Sequence, residues 1–436
     1  MVTQFDVKLQ KELIKTYGQR EGTNLANKYL GAFAHAYIDE NSLDLAVHDI
    51  EYLESLSDKK PIALSFYQQG NELHLRLFQW EHSIALSDIV PALENFDLRI
   101  LNEVPHHIQP QHHCGFWISD FLLLYKSETA LDIEAVNPLF QSAFKHIYAG
   151  HAENDGLNRL ILSAKLSWRE VVILRAYTRY LRQTVFRFGQ LTIEKTLATH
   201  PKLSKLLVDY FKLRNDPALN TKALQMNKLS NALSNEISKI SNLDEDRIMR
   251  RFLDLINATV RTNFFQTSPD GQYKHFFTFK LHSRLIPELP LPVPLYEIYV
   301  YSMDFEGIHL RNSKVARGGI RWSERLEDFR TEILGLMKAQ TVKNALIVPS
   351  GAKGGFVLKK MCLPDELKKY VTDSYCAFIN GLLDLTDNIE NNEFVHPAKV
   401  RCHDDIDPYL VVAADKGTAS FSNLANELAA DRKSVV

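Results

Sequence analysis

Arg317 to Gly355 reads RGGIRWSERLEDFRTEILGLMKAQTVKNALIVPSGAKGG, and its two ends decide how the rest of the chain is read. Apart from Gly335, its glycines fall in two clusters, Gly318 with Gly319 and Gly351 with Gly354 and Gly355, each beside a cation, Arg317 or Lys353. A residue without Cβ lets the backbone turn sharply and lets a ligand come close. Both clusters therefore read as ligand-approach loops. Between them Phe329, Ile333, Leu336, Met337 and Gln340 recur at three- and four-residue spacing, which predicts a helix of about 17 residues with Lys338 and Lys343 near its C-terminal end. Ala345 to Val348 is a short apolar strand candidate closed by Pro349. Lys353 is then expected at the carboxyl end of a strand, where open α/β sheets hold ligands.

Arg317, Lys343 and Lys353 among close-approach glycines suit an anionic substrate. A small dicarboxylate held away from water needs a cation for each carboxylate, because an isolated buried ion is very costly. The third cation is left for chemistry, since a crowded or desolvated lysine works as an acid or base near neutrality. Further on, Tyr409 to Ala414 (YLVVAA) reads as a buried strand that ends in Asp415, Lys416 and Gly417. Lys353 and Asp415 are expected to meet as an acid and base pair.

The segment ARGGIRWSERLEDFRTEILGLMKAQTVKNALIVPSGAKGGF, followed by DPYLVVAADKGTASFSNLAN, closely resembles the catalytic core of the large NAD-dependent glutamate dehydrogenases. The specific part runs from about Ser313 to Glu427, and the preceding part resembles the same proteins more loosely. The resemblance implies reversible oxidative deamination of L-glutamate to 2-oxoglutarate and ammonia, with hydride passed to NAD. It assigns Arg317, beside Gly318 and Gly319, to the substrate's side-chain carboxylate and Lys343 to the α-carboxylate. Lys353 becomes the catalytic lysine that activates water and polarises the carbonyl carbon, and Asp415 the proton shuttle to the departing ammonia. The smaller glutamate dehydrogenases carry lysine where this chain has Arg317, and a guanidinium fork is not a point charge. The surroundings of Asp415 (ADKGT) also differ from theirs.

No glycine-rich fingerprint for a dinucleotide occurs: Gly351 to Gly355 is G-x-x-G-G, and no G-x-x-x-x-G-K-[ST] loop is present. That spacing also argues against phosphate binding at GAKGG. In the resembled family the nucleotide-binding (Rossmann) domain follows the substrate domain, and it is expected to be missing here. Asp431 to Val436 (DRKSVV) continues no family pattern and matches what a sequencing-adapter oligonucleotide encodes before a stop codon. The expectation is a truncated reading frame, inactive alone, with positions 431–436 a non-native tail.

The 436 residues carry a formal net charge of -2 with 24% charged residues, which gives no basic excess to argue for nucleic acid. Cys114, Cys362, Cys376 and Cys402 lack C-x-x-C spacing and read as reduced thiols of a cytoplasmic protein. Neither a signal-type run nor a stretch of about 18 apolar residues is seen, so no membrane role is expected.

The fold class expected is a multi-domain α/β (α+β) chain. Positions 1–57 read as a helical segment. In 58–128, two strands around QQGN, a helix near 84–96 and strands at 99–103 and 115–125 make a small α+β sandwich. It resembles the ACT-like regulatory modules ahead of the catalytic core in these dehydrogenases. Positions 129–269 read as helical, with Arg175, Arg179, Arg182 and Arg187 on a solvated face and one helical stretch from Leu224 to about Phe265. A mixed-sheet substrate domain is expected at 270–430, with an acidic loop at Asp384 to Asn392.

Two clusters invite a metal. His106, His107, His112, His113 and Cys114 offer zinc donors, but at no standard spacing, and a solvated loop is the plainer reading. His403, Asp404, Asp405 and Asp407 offer oxygen donors, but a polar turn explains them as well. No metal is expected. Thr418, Ser420 and Ser422 read as helix caps. The leading reading is thus an enzyme acting on glutamate, a homo-oligomer at full length. The alternative is a non-catalytic amino-acid-sensing regulatory protein built on the module at 61–126.

Overall fold

The computed structural model describes residues 3–127, 130–220, 223–343, 350–360, 362–410 and 412–431. The chain divides into two compact units, Met1–Trp168 and Arg169–Val436. The first contains α1 (Gln4–Tyr17), α2 (Gln19–Lys28), α3 (His35–Glu40), α4 (Leu43–Glu54), β1 (Ile62–Gln69), β2 (Glu72–Trp80), α5 (Leu86–Asn95), β3 (Leu98–Ile108), β4 (Phe116–Tyr125), α6 (Ile133–Tyr148) and α7 (Arg159–Ser163). Its strands form one antiparallel sheet in the order β1-β2-β4-β3. The expected hairpin is there, and Gly70 takes the positive φ of 60° that its turn requires.

Alternation along β1 sends Phe66 to Phe140 of α6, and Ala63 to the opposite face, which packs with α1–α4. On that face Arg76 of β2 is fully buried and pairs with Asp49 of α4 at 2.5 Å and Asp120 of β4 at 3.0 Å. His106 and His107 are not in a loop as expected. Both lie inside β3, which runs on to Ile108, and neighbours in a strand point to opposite faces. His106 packs on Tyr37 and His107 on Trp117, so the two rings cannot share a metal.

The second unit continues with α8 (Trp168–Arg182), α9 (Gln190–Thr199), α10 (Pro201–Asn215), α11 (Ala223–Ile237), α12 (Leu243–Ala258), β5 (Thr259–Thr262), β6 (Phe276–His282), β7 (Tyr296–Ser302), β8 (Phe305–Arg311), β9 (Gly319–Trp322), α13 (Phe329–Lys343), β10 (Ala352–Leu358), α14 (Pro364–Leu383), β11 (Asn388–Glu390), β12 (Glu393–Val395), β13 (Ala413–Ala414) and α15 (Ser422–Asp431). Among the described residues seven strands make a mixed sheet in the order β13-β9-β10-β8-β7-β6-β5, with β9 parallel to both β10 and β13 and the rest antiparallel. The stretch read as one helix from Leu224 onward breaks into α11 and α12, and its end becomes β5. The β-branched pair Thr259 and Val260 favours that change.

Register divides the sheet into two faces. The row Arg261, Lys280, Ile298, His309, Gly354, Ile320 runs across it on one side, under α14, where Phe356 meets Phe378. The row Leu281, Glu297, Leu310, Lys353 runs on the other, under α8 and α13. Helix α8 is enclosed on nearly all sides, with Tyr177 against Phe211, Phe252 and Phe279 and Tyr180 against Tyr299. That enclosure buries Arg175, which the sequence placed on a solvated face. Glu297 is fully buried and accepts from both Arg330 of α13, at 2.6 Å and 2.9 Å, and Tyr180 of α8, at 3.0 Å. This anchors α13 to the sheet.

The acidic loop expected at Asp384 to Asn392 is solvated only in part: Asp384 and Asp387 are buried, whereas 389–392 are exposed. Asp387 and Asp404 take up Arg261, Asp404 and Asp407 share Lys280, and Asp407 also pairs with Arg311. With their oxygens so engaged, Asp404 and Asp407 form a buried ion network and not the cation site considered from the sequence. Among the described residues Asp387, His396 and Cys402 lie close enough to share an ion. Asp387, however, already receives Arg261, His396 and the Asp407 N–H, and burial pushes the Cys402 thiol up to about 11, against thiolate formation.

His309 sits in the row above, buried beside the same network. Burial and then the Arg311 charge lower its pKa to about 3. An unfolded histidine titrates near 6.5, so the unfolded chain binds the extra proton between those values and stability falls as pH drops through that window. Urea unfolding at pH 7 and at pH 4.5 is expected to show His309→Phe losing about 2–3 kcal/mol less than the parent on acidification. Equal losses would show that His309 is not held neutral.

Candidate active site

Three polar side chains meet, with a fourth on the same face, because three strands keep one register. Arg317 bridges Gly351, and Ile320, Arg321 and Trp322 pair with Gly354, Gly355 and Phe356, so the offset is constant along the pair. Ala413 and Ala414 pair with Gly319 and Ile320. Period-two alternation then puts Arg317, Arg321, Lys353 and Asp415 on the same face of the sheet, the one that α13 covers. Lys353 Nζ lies 2.5 Å from Asp415 Oδ2, and Arg321 Nε lies 3.4 Å from the same oxygen. Lys353 is 8% exposed, so this amine and its carboxylate meet largely out of water.

Glycine makes the approach possible. A Cβ on Gly318 would stand 1.5 Å from the Ala352 carbonyl oxygen, and one on Gly319 would stand 2.9 Å and 3.0 Å from those of Ala413 and Ala414. At Gly355 a Cβ would meet Ile333 of α13 at 2.3 Å. The two clusters are therefore not ligand loops as expected from the sequence. They let strand meet strand and helix meet sheet, and Lys353 is the second residue of β10. The strand candidate at 345–348 lies outside the described residues.

Asp415 is held by a turn. Its carbonyl accepts from the Thr418 N–H at 3.1 Å, and Gly417 has φ 82°, the value that the third position of a type II turn demands. The Asp415 N–H donates to the Thr418 hydroxyl at 3.0 Å, which donates in turn to the Ile320 carbonyl at 2.7 Å. Thr418 thus fixes the catalytic candidate instead of capping a helix. Burial disfavours ionisation of Asp415, yet the hydrogen bond from Lys353, the Lys416 N–H and Arg321 together hold its carboxyl below the usual range.

Arg317 is exposed, on the same face as Lys353. Lys343 is the last residue of α13, and its side chain lies outside the described residues. The run YLVVAA is less of a strand than it reads. Among the described residues β13 is only Ala413–Ala414, at the sheet's edge with one neighbour, and both alanines are exposed. An edge strand and a central one can carry the same apolar letters.

Arg321, Glu332 and Thr418 are the site residues that sequence reasoning missed. Arg321 was legible in principle, since alternation from Arg317 through Gly319 reaches it. Glu332 reaches Arg321 from α13 at 2.9 Å, a contact that no spacing in the sequence announces.

Comparison with known proteins gives the family. "Bacterial NAD-glutamate dehydrogenase, catalytic domain" matches residues 232–435, and the helical motif 3, ACT3 and helical motif 2 families of glutamate dehydrogenase match 152–217, 61–136 and 12–56. The chain belongs to the large NAD-specific glutamate dehydrogenase family. The NAD-specific glutamate dehydrogenase of Pseudomonas aeruginosa is 47% identical over 430 residues, covering 96% of this chain and 26% of the relative. Those of Halomonas elongata and Mycobacterium tuberculosis are 43% and 40% identical, covering 96% and 93% of this chain and 26% of each relative. The chain thus spans about a quarter of the length of these curated relatives. Within the glutamate dehydrogenase family match, the catalytic-domain region contains the whole seven-stranded sheet, and the ACT3 region contains the whole four-stranded one. Among the described residues no helix is long and apolar enough to cross a membrane.

Proposed function

We propose that this chain supplies the substrate-binding part of a cytoplasmic, homo-oligomeric dehydrogenase that converts L-glutamate, NAD and water to 2-oxoglutarate, ammonia and NADH. The observation that carries the reading is the enclosed Lys353–Asp415 pair at 2.5 Å, on a sheet face shared with Arg317. In this reading Arg317 grips the side-chain carboxylate, Lys343 the α-carboxylate, and Gly318 and Gly319 let the strands close around them. Lys353 hydrogen-bonds the oxygen of the carbon that changes and moves a proton to or from water there. Asp415, ionised in the free chain, takes a proton from the substrate ammonium and returns it to the leaving ammonia.

NAD would accept the hydride. The described residues do not fit it: the glycines of the site are filled by neighbouring strands and α13, none opens a helix, and no dinucleotide fingerprint occurs in the sequence. No step through the nicotinamide is therefore derived from this chain.

Titration calorimetry of the chain with 2-oxoglutarate tests the reading. Binding is expected and should be lost in Arg317→Ala and weakened at least tenfold in Lys353→Ala, about 1.4 kcal/mol. Affinity that survives both changes would overturn the site and favour an amino-acid sensor on the ACT3-matched sheet.

A further inference from the structure

We propose that Arg321 and Glu332 are positioning residues that set how Asp415 is shared between Lys353 and the Arg321 guanidinium. The proposal rests on the reading of Lys353 and Asp415 given above. Arg321 stands between two carboxylates, with Nη1 on Glu332 Oε1 at 2.9 Å and Nε at 3.4 Å from Asp415 Oδ2. Lys353 reaches that same Oδ2 at 2.5 Å. A guanidinium prefers to close its fork on a single carboxylate. Here Glu332 holds the nearer end, and Asp415 is left mainly to the amine.

Glu332 is itself fixed in place. Its Oε2 accepts from the Ser323 hydroxyl at 2.5 Å, and Ser323 is pinned by its own N–H to the Phe356 carbonyl at 2.9 Å. The start of α13, which carries Glu332, is held from the residue that follows α8. Gln183 donates to the Leu326 carbonyl at 2.8 Å and accepts from the Arg330 N–H at 3.3 Å. The charges that face Asp415 are Lys353 from β10 and Arg321 from β9, with Glu332 from α13 behind Arg321, Arg325 acting on Glu332, and Arg317 further along the same face. Burial opposes ionisation of Glu332, but Ser323 and Arg321 hold its carboxyl low, so both carboxylates compete for the guanidinium as anions near neutrality.

Releasing Glu332 would let the fork close on Asp415 and draw it off Lys353. An amine whose carboxylate partner turns away loses its proton more readily. Removing Arg321 would have the opposite effect, leaving Asp415 to Lys353 alone. The test is the pH–rate profile for acylation of Lys353 in the chain, followed at that residue by peptide mass spectrometry between pH 7 and 10. Glu332→Gln should move the midpoint down, giving roughly three- to tenfold faster labelling at a fixed pH below it, and Arg321→Gln should move it up by a similar factor. Ser323→Ala changes no charge but unpins Glu332, and it should shift the midpoint downward by a smaller amount.

An unchanged Ser323→Ala profile would overturn positioning and leave only through-space charge, and equal-signed shifts in the two charge variants would overturn the sharing itself. If either charge variant fails to fold, which its circular dichroism melt reveals, the Ser323→Ala profile decides alone. Failure of 2-oxoglutarate binding in the parent chain would sink the functional reading without touching these shifts, so the two outcomes stay separate.

Discussion

Changing Lys353 to alanine in a full-length dehydrogenase carrying this segment is expected to lower kcat for glutamate oxidation about a thousandfold, within the range for loss of a general acid–base group. The amine is the buried member of its pair with Asp415, 8% exposed, and the neighbouring Arg321 nitrogens are already directed to Glu332 and Asp415. A guanidinium does not give up its proton near neutrality, so Arg321 cannot take over proton transfer. Exogenous small primary amines should restore part of the rate, because truncation leaves a space of the right polarity beside Asp415. A kcat within tenfold of the parent would remove Lys353 from the chemistry.

Arg261→Met is expected to lower the unfolding free energy by about 3–5 kcal/mol, the usual cost of breaking a buried ion pair by removing one partner. Arg261 is fully buried on β5 and closes its fork on Asp387 at 2.9 Å and 2.9 Å. It also reaches Asp404 at 2.6 Å and the carbonyls of Leu385 and Asp405 at 3.0 Å and 2.9 Å. Without it, two carboxylates stay buried with half their partners gone. Arg261→Lys should recover only part of the loss, because an ammonium cannot serve three carboxylate oxygens in one plane. The network also tethers the chain leading to the site, since Arg311 holds Asp407 and donates to the Tyr409 carbonyl at 2.6 Å, six residues before Asp415. Urea unfolding of the second unit measures the effect, and a loss under about 1 kcal/mol would show that the network is not a keystone of the sheet.

Local chemistry was legible wherever a residue acts through its neighbours in sequence. QQGN with its flanking alternation specified the β1–β2 hairpin, the spacing from Phe329 to Gln340 specified α13, and Asp-Lys-Gly-Thr carried the turn that holds Asp415. The pairing of Lys353 with Asp415 was also readable, although Lys353 lies near the start of β10 and its glycines serve strand packing. Tertiary structure decided everything that depends on which element comes alongside. Only strand register turned GAKGG from a loop into β10, set Arg321 beside Asp415 and left Ala413 and Ala414 at an edge. Only burial turned Asp387, Asp404 and Asp407 from surface charges into the partners of Arg261, Lys280 and Arg311. The reason is physical: propensity and periodicity are carried by a few adjacent residues, whereas the cost of burying Arg261 is met by partners more than a hundred positions away.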